Sequence, residues 1–248
     1  KEHFFYHIYQ LLDIMHIVLL IQSRCNASEI PYKIVKPLTK DKTMIEHIIE
    51  RCLKSKLANQ IIINTTTNFS DEKLVNVIRH NNWNNILSVY RGSETNVLER
   101  TCQIASMTRA DIIVRVKANR PFIDPDILDT VIQHFIETKY DYMFLSKAGL
   151  FPDGFDFDIF DVGTLHKIMK YTSNPNDLKR IDSFIFDNPK HFHFYQYNLS
   201  NPNSLDFNVT DYPNIDFTKL RLSVQTLSDW EYVKRLFTTV YSSNPNFR

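Results

Sequence analysis

Glycine is scarce in this sequence, with 4 residues in 248, where average usage is about 7%. The scarcity of glycine therefore argues against functions that depend on a glycine-rich phosphate-binding loop. Charge of one sign is lacking as well, because 29 Lys and Arg residues balance 28 Asp and Glu residues and leave a net charge of +1. That balance excludes a nucleic-acid partner held by bulk basic charge, and it argues against an acidic tail.

Cysteine and long apolar runs are also rare. Cys25, Cys52 and Cys102 are too few and too scattered for a disulfide framework or a zinc site, and they indicate a reducing, cytoplasmic compartment. The apolar run Ile17–Ile21 is far shorter than the roughly 20 residues of a membrane span, and polar residues interrupt the stretch before it. We therefore expect no membrane partner.

Residues 1–16 read as a separate segment. Their apolar side chains recur at helical spacing and predict an amphipathic helix, the residues being Phe4, Phe5, Ile8, Leu11, Leu12 and Met15. A clean signal-peptide core and a cleavage site are lacking. Because the sequence has no initiator Met, we expect a piece of a longer polypeptide, in which this helix is a linker or a docking segment.

After this segment, strand-like runs alternate with helical patterns, which indicates one domain over residues 17–248. The runs are Ile17–Ile21, Gln60–Asn64, Ile86–Tyr90, Asp111–Val116 and Asp141–Leu145. Between them, Thr43 and Glu46 form a capping box. Ser70 and Asp124, the latter followed by proline, are further helix starts. The alternation predicts a mostly parallel sheet with helices on both faces, a three-layer α/β/α domain that binds ligands at the carboxyl ends of its strands.

The second half of the chain changes pattern and indicates a lobe at about residues 141–200. A turn at 151–154 leads into an alternating strand, Phe155–Phe160, in which Asp156 and Asp158 share one face. We interpret it as an edge strand with one solvated side. The other predicted elements are helices Thr164–Tyr171 and Asn176–Asp187, a strand His191–Tyr197, a loop Leu199–Asp216, a strand Lys219–Val224, and a closing helix with a capping box of Ser228 and Glu231.

Four ordered segments carry motifs. Residues 21–33 read IQSRCNASEIPYK with VKPL at 35–38, residues 91–100 read RGSETNVLER, residues 114–125 read VRVKANRPFIDP, and residues 220–226 read LRLSVQT. All four resemble, in order and spacing, segments of the sugar-activating cytidylyltransferases. The family pattern is I-Q-A-R-M-G-S-T-R-L-P-G-K with L-K-P-L for the first, R-I-T-G-D-C-P-L-I-D-P for the third and L-R-W-T-V-D-T for the fourth. The resemblance is strongest to the spore-coat-polysaccharide type, related to the CMP-sialic acid and CMP-KDO synthetases. PDGFD at 152–156 resembles the family's P-D-G-L-D, and the whole resemblance covers about Ile17–Phe237.

The resemblance implies a GT-A-like nucleotidyltransferase fold with a mostly parallel sheet and a small lobe for substrate binding and dimerisation. It also implies a reaction in which a sugar hydroxyl attacks the α-phosphorus of CTP and releases pyrophosphate. Charge accumulates on phosphate oxygens in such a step, so catalysis depends on cations and positioning. The implied partners are CTP, a sugar or sugar acid and a second copy of the chain, or a neighbouring domain of a longer polypeptide.

The same resemblance assigns site residues. Arg24 and Lys33 match the Arg and Lys of the family's first loop, which wraps the triphosphate, and they are the implied catalytic residues. The implied nucleotide-binding set is Arg24, Lys33, Arg91, Gly92, Ser93, Arg115 and Asn119, and the implied sugar-binding set is Asp153, Gly154 and Asp156. In the family, two Asp residues after the strands of the third and fourth motifs hold Mg²⁺.

Departures from the family pattern lie at the phosphate and metal positions. Asn119 and Gln225 replace the two metal-binding Asp residues, which keeps an oxygen but loses the charge. Because Mg²⁺ is held mostly through carboxylates and phosphates, we assign no metal site and expect Mg²⁺ only if the protein is active. Glu29 replaces an Arg of the first loop and would repel a triphosphate, while Tyr32 replaces a Gly and would crowd it. In the lobe, residues 178–182 read LKRID against R-E-H-V-T.

Some residues keep alternative interpretations. Arg24 and Lys33 are either phosphate contacts or solvated loop charges, and the matched motif favours phosphate contacts. Arg115 ends a buried strand, where an unpaired charge is costly. We therefore expect it either to contact a ligand or to form a structural ion pair with Asp111 or Asp124.

Two functional hypotheses follow. The first is a cytidylyltransferase-like binding or assembly module with weak or lost catalysis, and the clustering of substitutions at phosphate and metal positions favours it. The second is an active, divergent nucleotidyltransferase that makes a CMP- or NDP-sugar for a surface glycan. Retained Arg24, Lys33 and Arg91 support this alternative.

Overall fold

The centre of the fold is a sheet whose strands are apolar on both faces. In β1, residues Ile17–Gln22, Leu19 lies in one apolar core and Leu20 in another. Successive side chains of a strand point to opposite faces of the sheet, so β1 is buried on both sides. A computed structural model describes residues 15–26, 29–81, 83, 87–146, 151–198 and 216–247 of the chain. Most of the predicted helix at 1–16 and of the predicted loop at 199–216 lies outside these residues.

The strands and helices of the described residues follow one another in an α/β order. The other strands are β2 Gln60–Thr66, β3 Leu87–Gly92, β4 Ile112–Lys117, β5 Tyr142–Leu145, β6 Asp158–Asp161 and β7 Phe194–Tyr197. The helices are α1 Met44–Cys52, α2 Glu72–His80, α3 Val97–Thr108, α4 Pro125–Thr138, α5 Val162–Tyr171, α6 Pro175–Lys179, α7 Ile181–Asp187 and α8 Leu227–Ser243. None of these described helices combines the length and the apolar character that crossing a membrane requires.

Within the described residues the sheet has seven strands in the order β3-β2-β1-β4-β6-β5-β7. β1 pairs in parallel with β2 and β4, and β2 pairs in parallel with β3. The first four of the five predicted runs therefore form parallel strands, which confirms the mostly parallel sheet predicted from the sequence. β6 runs antiparallel to both β4 and β5, and β7 is parallel to β5. The register places Gln22 of β1 beside Lys117 of β4, so these two strands end at the same edge of the sheet.

Helices cover both faces of the sheet, which confirms the predicted three layers. One core contains Leu19 of β1 together with apolar side chains of α1, α2, α4 and α8, such as Ile48 and Phe237. The other core contains Leu20 with side chains of α3, α5 and α7, such as Leu165. Because every β1 side chain from Ile17 to Ile21 is buried in one of these cores, the sheet positions its carboxyl edge rigidly.

The second half of the chain differs from the prediction. The predicted edge strand Phe155–Phe160 is wrong, because β6 begins at Asp158 and lies between β4 and β5. Asp158 is buried beside Arg115 of β4. The alternation of apolar and acidic residues in this strand therefore did not mark a face exposed to solvent. Instead of the predicted strand Lys219–Val224, a 3₁₀ turn at Phe217–Lys219 is followed by one isolated bridge. The predicted helix Asn176–Asp187 is interrupted at Arg180.

Two of the four predicted helix starts agree with the structure. The capping box of Thr43 with Glu46 and the Asp124 cap of α4 are confirmed. The predicted box of Ser228 with Glu231 is wrong, since Thr226 and Asp229 cap α8 two residues earlier. Ser70 caps no helix because it lies inside a 3₁₀ turn, where its hydroxyl donates to Asn68 Oδ1. The predicted strand His191–Tyr197 begins later, at Phe194, after a 3₁₀ turn at Pro189–His191.

Candidate functional site

A cavity of about 510 Å³ opens at the carboxyl ends of β1 and β4. This edge is where open α/β sheets bind their ligands. The described residues that line the cavity are Gln22, Ser23, Arg24, Lys33, Ile34, Val97, Arg100, Arg115, Lys117, Ala118, Asn119, Lys179, Arg180, Asp182 and Gln225. The fold thus brings together four residues of the predicted nucleotide set and both family metal positions.

The lining of this cavity is strongly cationic. Among the described residues it contains a single acidic side chain, Asp182, and the basic side chains Arg24, Lys33, Arg100, Arg115, Lys117, Lys179 and Arg180. The formal charge of the lining is therefore +6, although the whole chain carries only +1. Concave sites lined by one sign of charge concentrate ligands of the opposite sign, so the cavity suits a polyanion such as a triphosphate.

The loop that carries Arg24 is held by one buried carboxylate. Cys25 N, next to Arg24, donates a hydrogen bond of 2.6 Å to Asp71 Oδ1. The other oxygen of Asp71 accepts from Thr65 Oγ1 at 3.0 Å and from Thr66 N at 3.2 Å, at the end of β2. Arg24 itself makes no hydrogen bond or ion pair within the described part of the chain. Its guanidinium is therefore available to a ligand.

Lys33 links the first loop to the segment before α8. It is buried, and its Nζ donates a hydrogen bond of 2.7 Å to Val224 O. Asn119 Nδ2 donates to the same carbonyl at 3.3 Å. Burial lowers the pKa of Lys33, and Asp229 partly offsets that effect. Lys33 thus has a structural role, while its side chain lines the cavity and its ammonium keeps two further donors.

Arg100 is a site residue that the sequence analysis missed. Its buried side chain donates from Nε to Asn64 Oδ1 at 2.9 Å and from Nη1 to Ser93 O. Burial lowers its pKa first, and the neighbouring positive charge of Arg24 lowers it further. Two guanidinium groups close to each other repel, and an anion between them relieves that repulsion. The sequence offered one signal for this role, namely that Arg100, at the end of the VLER stretch, lies on the apolar face of a predicted helix.

Arg91, Gly92 and Ser93 lie beside the cavity and do not line it. Arg91 forms an ion pair with Glu72 and donates to backbone carbonyls of the loop after β2, for instance to Asn68 O at 3.1 Å. A methyl group at Gly92 would lie 2.7 Å from Arg100 Cγ, so glycine lets that side chain pass. These three predicted residues support the position of Arg100 and of the loop around the site.

Arg115 forms a structural ion pair, but with neither expected partner. Its Nε donates to Asp158 Oδ1 at 2.8 Å, because Asp158 of β6 lies opposite Arg115 in the sheet register. Asp111 instead accepts from His16 N, and Asp124 pairs with a different arginine and caps α4. Arg115 also reaches the cavity, where its Nη2 lies 3.7 Å from Asp182 Oδ1. The pairing joins two strands far apart in sequence, so no local pattern indicated it.

The residues at the family metal positions do not fit Mg²⁺. Asn119 and Gln225 offer only neutral amides, and the nearby carboxylate Asp182 lies within 4 Å of both Arg115 and Arg180. No group of three His, Cys, Asp or Glu side chains within the described ranges could hold a metal ion. A hard dication needs oxygen ligands with negative charge, and this lining provides mainly positive groups.

A second, smaller cavity of about 230 Å³ adjoins the first and shares Arg115, Lys117 and Asp182 with it. Asp156 of the predicted sugar-binding set lines this cavity and forms an ion pair with Arg120. The other described residues that line it are Arg120, Tyr142, Phe144, Leu145, Ser146, Phe157, Asp158 and Phe186. Polar groups beside aromatic rings provide surroundings suited to a small polar molecule next to the larger cavity.

Asp153 and Gly154, the other predicted sugar-binding residues, line neither of the two cavities. Asp153 Oδ2 accepts a hydrogen bond of 2.8 Å from Ser223 Oγ. Gly154 has a φ of 115°, and a methyl group there would lie 2.5 Å from the carbonyl carbon of Leu222. These residues hold the segment that carries Gln225.

The two substitutions expected to obstruct the phosphate loop do not line the cavity. Glu29 is exposed and does not line it, and the same holds for the half-buried Tyr32. Tyr32 adopts a φ of 58°, the left-handed conformation that favours glycine, and Lys73 Nζ lies 4.2 Å from the centre of its ring. The conformation of the family glycine is therefore kept, with the ring directed to Lys73.

The layered sheet, its one antiparallel strand and the cationic cavity at its carboxyl edge define an α/β nucleotidyltransferase-like fold. A solved structure of a cytidylyltransferase from Leptospira borgpetersenii serovar Hardjo-bovis is similar to it, with a TM-score of 0.77 and 26% sequence identity. The match covers 93% of this chain and 95% of that one. The family model for cytidylyltransferases matches residues 18–200, and the chain belongs to this family.

Two relatives show how the resemblance extends along the chain. The spore coat polysaccharide biosynthesis protein SpsF of Bacillus subtilis is 23% identical over 221 residues, 89% of this chain and 86% of that protein. The 3-deoxy-manno-octulosonate cytidylyltransferase of Trichlorobacter lovleyi is 30% identical over 122 residues, 49% of this chain and 46% of that enzyme. The family resemblance expected from the motifs is confirmed.

Proposed function

We propose that this cytidylyltransferase-family domain binds a nucleoside triphosphate, CTP first of all, and that its cytidylyl transfer is weak or lost. It would then serve as a binding or assembly module. The observation that supports this is one cavity with seven basic side chains and with amides at both family metal positions. Arg24 and Lys33 supply the phosphate contacts, and Arg100 and Arg115 extend them.

Weak transfer follows from the missing charges. Each carboxylate lost from a distance of about 4 Å removes roughly 2–8 kcal/mol of attraction for a dication, twice the value for two unit charges and dependent on the local dielectric. Because about 1.4 kcal/mol corresponds to a factor of ten in rate, two lost charges reduce transfer by several powers of ten. Asn119 and Gln225 provide no compensating negative charge.

Pyrophosphate release from CTP, with a sugar acid such as 3-deoxy-manno-octulosonate, tests this function. We expect release near background from the unmodified chain, and Mg²⁺-dependent release from the double variant Asn119→Asp with Gln225→Asp. Asn76→Asp adds a charge on the exposed side of α2 and should leave release unchanged. Rapid release by the unmodified chain would contradict weak catalysis.

The alternative is an active, divergent nucleotidyltransferase that makes a CMP- or NDP-sugar. It is favoured by one observation, namely that neither Tyr32 nor Glu29 narrows the cavity. Such an enzyme would use Mg²⁺ supplied with the nucleotide, because the amides alone are too weak to hold the ion. The same pyrophosphate assay distinguishes the two functions, with fast release by the unmodified chain supporting this one.

Self-association belongs to the same proposal. In the lobe at about residues 141–200, Phe186 is 39% exposed and contacts the rings of Phe144 and Phe194. Aromatic surface of this kind is enriched at protein interfaces, so we propose a homodimer through the lobe. Light scattering is expected to give a dimer mass, and Phe186→Ser to reduce it. A monomer at high concentration would contradict this proposal.

A further inference from the structure

Of the two described cations that line both cavities, Arg115 and Lys117, only Lys117 has no acidic partner among the described residues. It is the last residue of β4 and lines the larger and the smaller cavity. Its ammonium makes no hydrogen bond or ion pair with any residue that the structure describes. The acidic side chains that line these cavities are already engaged, Asp158 by Arg115, Asp156 by Arg120, and Asp182 by Arg115 and Arg180.

The charge change at this edge of the sheet is concentrated in a short stretch. The family pattern R-I-T-G-D-C corresponds to residues 115–120, which read RVKANR here. A neutral Thr has become Lys117, and a metal-binding Asp has become Asn119. The stretch therefore loses one negative charge and gains two positive ones. Lys117 lies on the same cavity wall as Asn119, whereas Arg120, which replaces the family Cys, is paired with Asp156.

The surroundings of Lys117 favour an anion over a hydrated cation. The side chain of Lys117 is exposed to solvent at the wall of the two cavities. Partial desolvation lowers the pKa of its ammonium, Arg120 and Arg115 lower it further, and Asp158 and Asp156 partly offset the change. A negative group placed between these cations would be attracted by all of them. A dication placed at the same position would be repelled and would meet neutral amides in place of carboxylates.

We propose that Lys117 takes over the charge-compensating role of the divalent cation, so that the cavity binds nucleoside triphosphate in its metal-free form. This inference rests on the proposed function, because it requires the nucleotide to occupy the cavity. Chelation of Mg²⁺ reduces the negative charge of a triphosphate and brings a hydrated dication toward seven basic side chains. Added Mg²⁺ therefore weakens binding.

Calorimetric titration with CTP, and separately with inorganic triphosphate, tests the inference on the full chain. We expect both ligands to bind in EDTA and their affinity to fall several-fold when Mg²⁺ is in excess. Lys117→Gln should weaken binding in EDTA about tenfold, as expected for a lost charged hydrogen bond. Lys117→Arg keeps the charge and should bind within a few-fold of the unmodified chain.

The control is Lys40→Gln, since Lys40 is exposed and does not line the cavity. It should bind CTP as the unmodified chain does, and thermal unfolding of each variant verifies that it is folded. Binding that requires Mg²⁺, or an unchanged affinity of folded Lys117→Gln in EDTA, would overturn the inference and leave the proposed function standing. Absence of CTP binding with and without Mg²⁺ would overturn both.

Discussion

At the scale of single residues, Asp71 holds the loop that carries Arg24 in place. Its two carboxylate oxygens connect the loop after β1 to the end of β2, through Cys25 N and Thr65 Oγ1. The side chain is 1% exposed, so these bonds form away from water. A buried carboxylate with several donors is stabilising only while the donors remain paired. Asp71 is therefore a positioning residue for Arg24.

Replacing Asp71 by Asn should loosen this loop. One acceptor oxygen becomes an NH₂ donor that faces other donors, so we expect the free energy of unfolding to fall by about 1–3 kcal/mol. CTP affinity should fall as well, because Arg24 is no longer held at the cavity. Urea denaturation and calorimetry measure the two effects. Asp187→Asn, at an exposed helix end, is the control, and equal behaviour of the two variants would refute this role.

Arg115 and Asp158 form a buried ion pair, and we expect the folded state to depend on the presence of both residues. Asp158→Asn should lower the free energy of unfolding by about 3–5 kcal/mol, because it leaves a buried guanidinium without its carboxylate. The double variant Arg115→Met with Asp158→Leu should regain most of that loss, since apolar residues of similar size replace such pairs well. Denaturant unfolding checks both, and a fully stable Asp158→Asn would contradict the assignment.

At the scale of elements, α1 is attached to α8 through a buried histidine. His47 is 1% exposed and contacts the rings of Phe237 and Tyr241, each with a centroid separation of 4.7 Å. Its Nε2 forms a hydrogen bond of 2.8 Å with Thr39 Oγ1. Burial lowers the pKa of His47 to about 4, and the positive charge of Lys42 contributes. The packing of these helices therefore depends on a neutral imidazole.

This packing predicts a loss of stability in mild acid. The folded-state pKa of His47, about 4, lies below the ordinary value of 6.5, so the unfolded state binds the proton more readily. The full contribution is present above pH 6.5 and is lost as pH falls toward 4, by about 3 kcal/mol. Unfolding measured across this range should show a shallower pH dependence for His47→Gln. Parallel curves for the two proteins would contradict the prediction.

The turn at Gly154 supports the segment before α8. Gly154→Ala should be strongly destabilising, because its φ of 115° disfavours a side chain and the added methyl would meet the Leu222 backbone at 2.5 Å. Gly163→Ala is a useful comparison, since its methyl would meet only the end of the Asp161 side chain. We expect a much larger drop in unfolding midpoint for Gly154→Ala. Similar drops for both variants would refute the close approach.

At the scale of the whole molecule, features that depend on residues close together in the sequence were mostly predicted correctly, and features that depend on distant residues mostly were not. The parallel strands and the caps at Thr43 and Asp124 were predictable, because apolar runs and capping side chains act within a few residues. The place of β6 was not, since strand order depends on contacts distant in sequence. The partner of Arg115 was missed for the same reason.

The candidate site was predictable only in part. The motifs indicated Arg24, Lys33 and Asn119, and the fold brings them to one cavity. They did not indicate Arg100 or Lys117. The relevance of these two residues depends on the cavity that they share and on the absence of an ion pair to either of them among the described residues. The net charge of the chain did not indicate the site either. The cavity lining carries a formal charge of +6, but acidic residues elsewhere reduce the net charge of the whole chain to +1.

A crystal structure of the full chain grown with CTP and Mn²⁺, with anomalous scattering recorded for manganese, tests the central claim most directly. We predict triphosphate density in contact with Arg24, Lys33 and Lys117, and no manganese peak within coordination distance of Asn119 or Gln225. A manganese ion coordinated by either amide, or a triphosphate bound outside the cavity, would contradict the claim that basic side chains replace the metal.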